Sequence, residues 1–420
     1  MMLRGNCSRL YRDKLGSGTF DFMTKKAEKT CSACGNSVVN HRFVFTSNFI
    51  DEIIGRFGDA FSSFLPKLPT KKFQGAADFL EKRSFDLFRL MGILRHSTDV
   101  EKARSGRSKL VWEEAQRRGI EMEQSVFLGR PLEHYRVKIN GGTFYFQSLP
   151  IPPWLPQGGY DWIDDKFILA ERLNTAGIPT PTTRKISSMS EAILAFEKLS
   201  KPLIIKPKSG SRGRHTTTNI KNVEELERAV SIARQITPAM VLQEHLFGSI
   251  YRATVVDNVL VGFFRGDPPQ ATGDGIKNIR ELIVEKNSKR NERLNEILID
   301  EDLVSFIERQ GYTLDSVLPL GTVIDLSAKT GRFRGGHTKE MLPEVHPKMY
   351  AIFKKAGELV SAPVLGFDLI IPDPTQDPDT QRWGIIECNS LPFIDLHYFS
   401  LEGTPIDVAK HVWDLWEVKS

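Results

Sequence analysis

Leu365-Gly366-Phe367-Asp368-Leu369-Ile370-Ile371 and Gly384-Ile385-Ile386-Glu387-Cys388-Asn389 are the stretches on which the reading of this chain turns. Each is an apolar run of strand length that carries an acid or an amide. Side chains two apart on a strand share a face, so Glu387 and Asn389 converge while Cys388 points to the core. A hairpin around the polar insert 372–382 would bring Asp368 to face them across the ladder. Unpaired acids on apolar strands are costly, which argues that these carboxylates have a ligand. Two carboxylates and an amide oxygen are hard donors suited to Mg²⁺, or Mn²⁺ in its place, shared with substrate phosphates. The competing reading is an acid that merely lines an exposed strand face.

Upstream, Ile204-Ile205-Lys206-Pro207-Lys208-Ser209-Gly210-Ser211-Arg212-Gly213-Arg214 reads as a buried strand that ends in a lysine and opens into a small-residue loop. Such a loop lets backbone N–H groups approach phosphate oxygens closely. Lys206 at the strand end would place a point charge on a phosphate. A basic surface turn is the plain alternative. Between the two clusters, Arg252 and Arg265 each stand near a strand end, where a guanidinium offers a fork to phosphate or carboxylate oxygens. For a single arginine, a salt bridge on the sheet face is the commoner outcome.

The rest of the chain frames these clusters. Its 420 residues suit two or three domains. The 57 basic residues are nearly balanced by 52 acidic ones, so nothing in the whole-chain charge calls for nucleic acid. Lys25, Lys26, Lys71, Lys72 and the basic 102–118 stretch lack interleaved aromatics and read as solvated faces. No apolar run reaches the ~20 residues of a membrane span, and the first 14 residues lack the apolar core of a secretory signal. With few cysteines, the expected setting is the cytoplasm. Residues 1–100 read as a partly helical region, with helical periods at 48–65 and 76–94. Residues 101–160 read as a helix, a hairpin turning at Asn140-Gly141-Gly142, and a proline-rich linker at 149–162. From 161 to 420 strands and helices mix in an α/β pattern, closed by a helix at 405–416.

The order of motifs carries a resemblance. It runs from Asp165-Lys166 through Ile205-Lys206-Pro207-Lys208 and the glycine-rich loop to Gly248 and Tyr251-Arg252. It continues with Pro268-Pro269-Gln270, Thr272-Gly273-Asp274-Gly275 and Asn278-Ile279-Arg280-Glu281-Leu282. It ends with Gln310-Gly311-Tyr312-Thr313, Gly366-Phe367-Asp368 and Glu387-Cys388-Asn389. Over about 160–420 the chain resembles the ATP-grasp ligases, in the branch of cyanophycin synthetase and of the fused bacterial glutathione enzyme. The resemblance implies an α/β (α+β ATP-grasp) fold, with two α+β subdomains clamping ATP after a small pre-grasp-like segment. It implies Mg²⁺ on Asp368, Glu387 and Asn389. Phosphates would meet Lys166, Lys206 and Lys208 and the loop residues Ser209, Gly210 and Gly213, and Gln243, Glu244 and Leu246 would form a hinge against adenine. The implied reaction converts a carboxylate of an amino acid or peptide to an acyl phosphate, which an amine then attacks. Arg252 or Arg265 would steady the oxyanion. A homo-oligomer is left open.

Departures from the family pattern stand at Ile250, where an acid is usual, at Gln243, and at Phe333-Arg334-Gly335-Gly336-His337. They motivate a second reading, a nucleotide binder without ligation. Both two-step relatives have a second catalytic half that this sequence does not show, so neither complete synthesis is expected of it. Cys31-Ser-Ala-Cys34, with Cys7 before and His41 after, is a candidate zinc set. A single CxxC is weak, and ordinary thiols are the reading preferred over structural zinc at Cys31 and Cys34. His337 and His397 flank the proposed site and are read as structural or solvent-facing rather than acid–base groups.

Overall fold

A computed structural model describes residues 31–34, 39–62, 93–210, 213–327 and 330–417. The helical period expected at 76–94 falls almost wholly outside them, as do Cys7, Lys25, Lys26, Lys71 and Lys72.

The first described helix, α1 (His41–Ser62), begins seven residues before the apolar period of 48–65 does. Asn40 explains the early start: its side chain accepts from the N–H of Phe43, satisfying one of the orphan donors of the first turn. The segment 93–147 folds as an antiparallel meander, β1 (Leu94–Ser97), β2 (Glu121–Phe127), β3 (Arg130–Ile139) and β4 (Gly142–Gln147), with α2 (Gly106–Arg117) inserted after β1. The expected hairpin turn is there, with Asn140 and Gly141 both at positive φ. Trp112, Tyr135 and Phe146 bury the inner face together with Trp413 and Trp416 from the far end of the chain. The proline-rich 149–162 stretch is tied into that core, because Trp416 donates to the carbonyl of Pro150.

A four-stranded antiparallel sheet follows, in the order β5 (Thr183–Ile186), β8 (Met240–Glu244), β6 (Leu203–Pro207), β7 (Thr217–Ile220). Helices α4 (Met189–Lys198) and α5 (Val223–Arg234) cover one face through Phe196, Leu226 and Val230. Asn222 caps α5 by accepting from the N–H of Glu225. Helix α3 (Lys166–Thr175) precedes this sheet and packs instead on the next.

That next sheet is the centre of the molecule. Its order is β13 (Thr338–Glu340), β10 (Val259–Gly266), β9 (Ser249–Val256), β14 (Val364–Ile371), β15 (Gly384–Asn389), with every neighbouring pair antiparallel. One face presents Tyr251, Ala253, Phe263, Phe367, Leu369 and Cys388 to α3 and to a helix at Pro347–Val360. The opposite face carries Arg252, Thr254, Asp368 and Glu387. A further small core joins β11 (Gln270–Thr272) and β12 (Val323–Asp325) to helices at Ile279–Ser288 and Glu301–Glu308. The Ile279–Ser288 helix opens with a capping box, Asn278 and Glu281 each bonding the other's backbone N–H. Among the described residues no helix is long and apolar enough to cross a membrane.

Candidate active site

The register of the central sheet builds the site. Phe264 lies opposite Arg252, Arg252 opposite Asp368, and Asp368 opposite Glu387. Directly paired residues of antiparallel strands point to the same face, so these form one row across β10, β9, β14 and β15. Asn389, two residues beyond Glu387, shares that face beside Gly366. Cys388 points the other way and is buried in the main core, where its thiol is pushed well up by burial.

Arg252 grips Asp368 with two bonds, Nε to Oδ1 at 2.5 Å and Nη2 to Oδ2 at 2.8 Å. Burial pushes the Asp368 carboxyl up and Glu387 across the ladder adds to it, while Arg252 works against both. The arginine is what allows two acids to sit side by side on a poorly solvated face.

The second sheet supplies the cations. Lys206, near the end of β6, is pushed down to about 7 by burial and by the neighbouring Lys166, against the pull of Glu387 and Asp368. Lys206, Lys166 at the start of α3, and the two carboxylates of the central sheet thus lie within electrostatic reach of each other. Lys166 opens α3 and sends its Nζ to the carbonyl of Gly210 at 2.7 Å, pinning the glycine-rich loop. Gly210 (φ +138°) and Gly213 (φ +63°) take backbone conformations that favour glycine, and a Cβ would meet nothing around either. Ser209 lies beside Gly210 and is half-buried.

Other expected residues are placed differently. Lys208 does not point freely into the loop: its Nζ is held by Glu52 of α1 at 2.7 Å and by Asp165 at 3.1 Å. Gln243 turns inward, donating to the hydroxyl of Thr183 at 2.7 Å, so its side chain braces β8 on β5. Glu244 accepts from Arg382 of the β14–β15 connection at 2.6 Å and from the N–H of Ser200. Leu246 is buried just beyond it. Arg265 pairs in the ladder with Tyr251, one residue out of step with Arg252 and therefore on the opposite face, and its Nε donates to Asp267. The structure brings Arg252 to the row and leaves Arg265 out of it.

The two histidines separate cleanly. His397 is fully buried, between Glu340 at 2.6 Å and Thr254 at 2.7 Å. Gly262 packs so closely on its ring that a Cβ would fall 2.5 Å from Nδ1. Glu340 in turn accepts from three backbone N–H groups, so this is a structural knot. His337 is exposed and lies 3.1 Å from Glu402. Residues that sequence reasoning did not single out include Glu52 and His215. Each acts on a partner more than 130 positions away, and no local period marks either.

Lysines from β6 and from the start of α3, beside paired acids on the central sheet, are the geometry on which comparison bears. No family model matches the chain. Cyanophycin synthetase of Trichormus variabilis is 29% identical over 264 residues, which are 61% of this chain and 29% of that protein. The bifunctional glutathione biosynthesis protein of Mannheimia succiniciproducens is 27% identical over 253 residues, 57% of this chain and 33% of that one. Among solved structures, the bifunctional glutathione synthetase from Pasteurella multocida superposes with a TM-score of 0.52 at 23% identity, covering 74% of this chain and 44% of that one. The chain has the ATP-grasp fold. It resembles the ligase modules of these carbon–nitrogen bond-forming enzymes and spans about a third of the length of the curated relatives it matches. As an ATP-grasp fold it places the row of Arg252, Asp368 and Glu387 on one subdomain and the glycine-rich loop on the other.

Proposed function

We propose that this ATP-grasp protein is an ATP- and Mg²⁺-dependent carboxylate–amine ligase working through an acyl phosphate on an amino-acid or peptide substrate. The observation that carries the reading is the row itself: Asp368 and Glu387 are paired across one ladder, with Lys206 of the four-stranded sheet and Lys166 at the start of α3 in electrostatic reach. Oxygen donors from Asp368, Glu387 and Asn389 fit a hard divalent cation, since two carboxylates and an amide are arranged on one rigid face. Mg²⁺ (or Mn²⁺) held there would neutralise charge on the phosphates.

The chain's own residues do the rest. Lys206 and Lys166 steady the polyphosphate, and the N–H groups around Ser209, Gly210 and Gly213 cradle its oxygens. Lys208 supports the loop from behind through Glu52. The backbone from 243 to 246 forms the adenine edge, since the Gln243 side chain is already engaged. The γ-phosphoryl group passes from ATP to the substrate carboxylate, releasing ADP. The amine then attacks the acyl carbon, phosphate leaves, and an amide forms. Arg252 stands where a developing oxyanion would gain from a fixed guanidinium. Closure of the glycine-rich loop keeps water from the acyl phosphate. Chemistry of this kind suits the cytoplasm, where ATP is abundant and the described cysteines stay unpaired.

The test is release of ADP and phosphate on mixing the protein with ATP, Mg²⁺ and pools of amino acids and dipeptides. Substrate-dependent release that Glu387→Gln abolishes supports the ligase. Tight nucleotide binding with no release from any pool would sink it and leave the second reading, a binder without ligation.

A further inference from the structure

Away from the acids, a second cluster gathers on the outer side of the glycine-rich loop. Cys31 and Cys34 lie in a short turn ahead of α1, His41 is the first residue of α1, and His215 stands where the loop enters β7. One ligand atom from each of the four lies within 4.8 Å of the others. Cys34 Sγ is 3.1 Å from His41 Nε2 and 3.2 Å from His215 Nε2, and Cys31 Sγ is 3.9 Å from His215 Nε2. A tetrahedron with Zn–S of ~2.3 Å and Zn–N of ~2.0 Å has edges of roughly 3.3–3.8 Å, so these separations bracket what one ion needs. The two imidazoles meet edge to face, at 81° between planes.

We infer that Cys31, Cys34, His41 and His215 form a closed structural Zn²⁺ site that clips the amino-terminal segment to the nucleotide loop.

Three features support it. The first is orientation: His215 is fully buried, and its Nδ1 lies 2.7 Å from the carbonyl of Ile232. A proton on Nδ1 serves that carbonyl and leaves the Nε2 lone pair facing the sulfurs, the outer contact that metal-bound histidines commonly make. The second is charge: two thiolates balance Zn²⁺, so the filled site is neutral and tolerates burial. Without an ion the cluster would rest on weak sulfur hydrogen bonds. The third is continuity. The N–H of His215 donates to the carbonyl of Ala33 at 2.9 Å, so backbone and side chains join the same two segments. Soft sulfur and imidazole donors select zinc over the hard cation of the acid row. With four protein ligands the site leaves no open position for chemistry.

The consequence reaches the nucleotide side. Beyond the cluster, Asn48 of α1 donates to the carbonyl of Ile236, and Glu52 binds both Lys185 and Lys208. The amino-terminal segment therefore holds the loop at His215 and again at Lys208. Removing the ion should loosen the loop and weaken nucleotide binding, a consequence that rests on the ATP reading above. The metal site itself does not.

The test uses the full chain, purified under reducing conditions. Elemental analysis should find one zinc per chain. Replacement by Co²⁺ should give the intense visible bands of a tetrahedral ion together with a thiolate charge-transfer band. Cys34→Ser and His215→Ala should lose both signals. His41→Cys keeps four ligands, so it should keep the metal and strengthen the charge-transfer band, which separates ligand loss from misfolding. Wild-type protein that takes up no more zinc than Cys34→Ser, or that holds iron instead, would overturn the assignment. So would a failure to bind zinc once any Cys31–Cys34 disulfide is reduced. Equilibrium ATP binding is then measured with and without zinc. Weaker binding in the zinc-free protein supports the clip, equal binding removes the link to the loop, and no binding in either form counts against the ligase while leaving the zinc assignment standing.

Discussion

The acid row of the central sheet and the cysteine–histidine cluster beside the glycine-rich loop are built on different principles. The row consists of hard oxygens on adjacent strands, partly open and cross-braced by Arg252, as suits an ion that arrives with its nucleotide. The cluster consists of soft donors borne by loops and a helix start, half-buried and closed by four protein ligands, as suits an ion that stays. The contrast teaches that rigidity is supplied by the ladder in one case and must be supplied by the ion in the other. Breaking the row should silence chemistry while the fold survives. Breaking the cluster should loosen the fold while chemistry persists at reduced affinity.

The largest effect is expected from Glu387→Gln. Turnover in the ADP-release assay should fall roughly 10³-fold, the scale of losing one preorganised electrostatic group, with the melting temperature unchanged. A melting temperature that fell along with activity would blur the distinction. Next comes Arg252→Met, which strands Asp368 beside Glu387. Breaking a buried pair from one side costs about 3 kcal/mol, read as a lower urea midpoint, and the partner change Asp368→Asn in the same background should recover part of it.

A smaller effect belongs to Glu52. Burial opposes its charge, but Lys185 and Lys208 outweigh that and hold the carboxyl at about 2, below its ordinary 4.5. A depressed acid contributes its stability in full above the unfolded value and loses it as pH falls from 4.5 toward 2. Glu52→Gln should therefore cost about 1.5 kcal/mol at neutral pH and flatten the acid limb of the stability curve over that window. The smallest expected change is local. Chelation of zinc should speed proteolytic cleavage within 31–62 while leaving the melting of the central sheet in place, and protection that survived chelation would show that α1 docks without the ion.

What could be read from sequence follows from the same contrast. Strand alternation and a polar hairpin insert were enough to bring Asp368, Glu387 and Asn389 to one face, because period and register are local facts. Lys206 was legible as a charge ending an apolar strand. Arg265 stands one residue past Phe264, which puts it on the face away from Arg252. Gln243 and Lys208 were expected to meet the nucleotide, yet their side chains are taken by Thr183 and by Glu52 and Asp165. Tertiary partners of that kind leave no trace in spacing. The CxxC looked incomplete because the histidine that completes the cluster stands 181 residues from Cys34. A search confined to neighbouring positions had no means of finding it.

The tryptophans that close the first meander set a timetable. Trp413 donates to the carbonyl of Val111, 302 positions earlier. At ~5–20 residues per second, a ribosome needs roughly 15–60 s between making the one and the other. Throughout that interval Trp112 and Tyr135 lack the surface that covers them in the finished protein. The meander at 93–147 is thus covered only after residues 413–416 are made, long after its own strands.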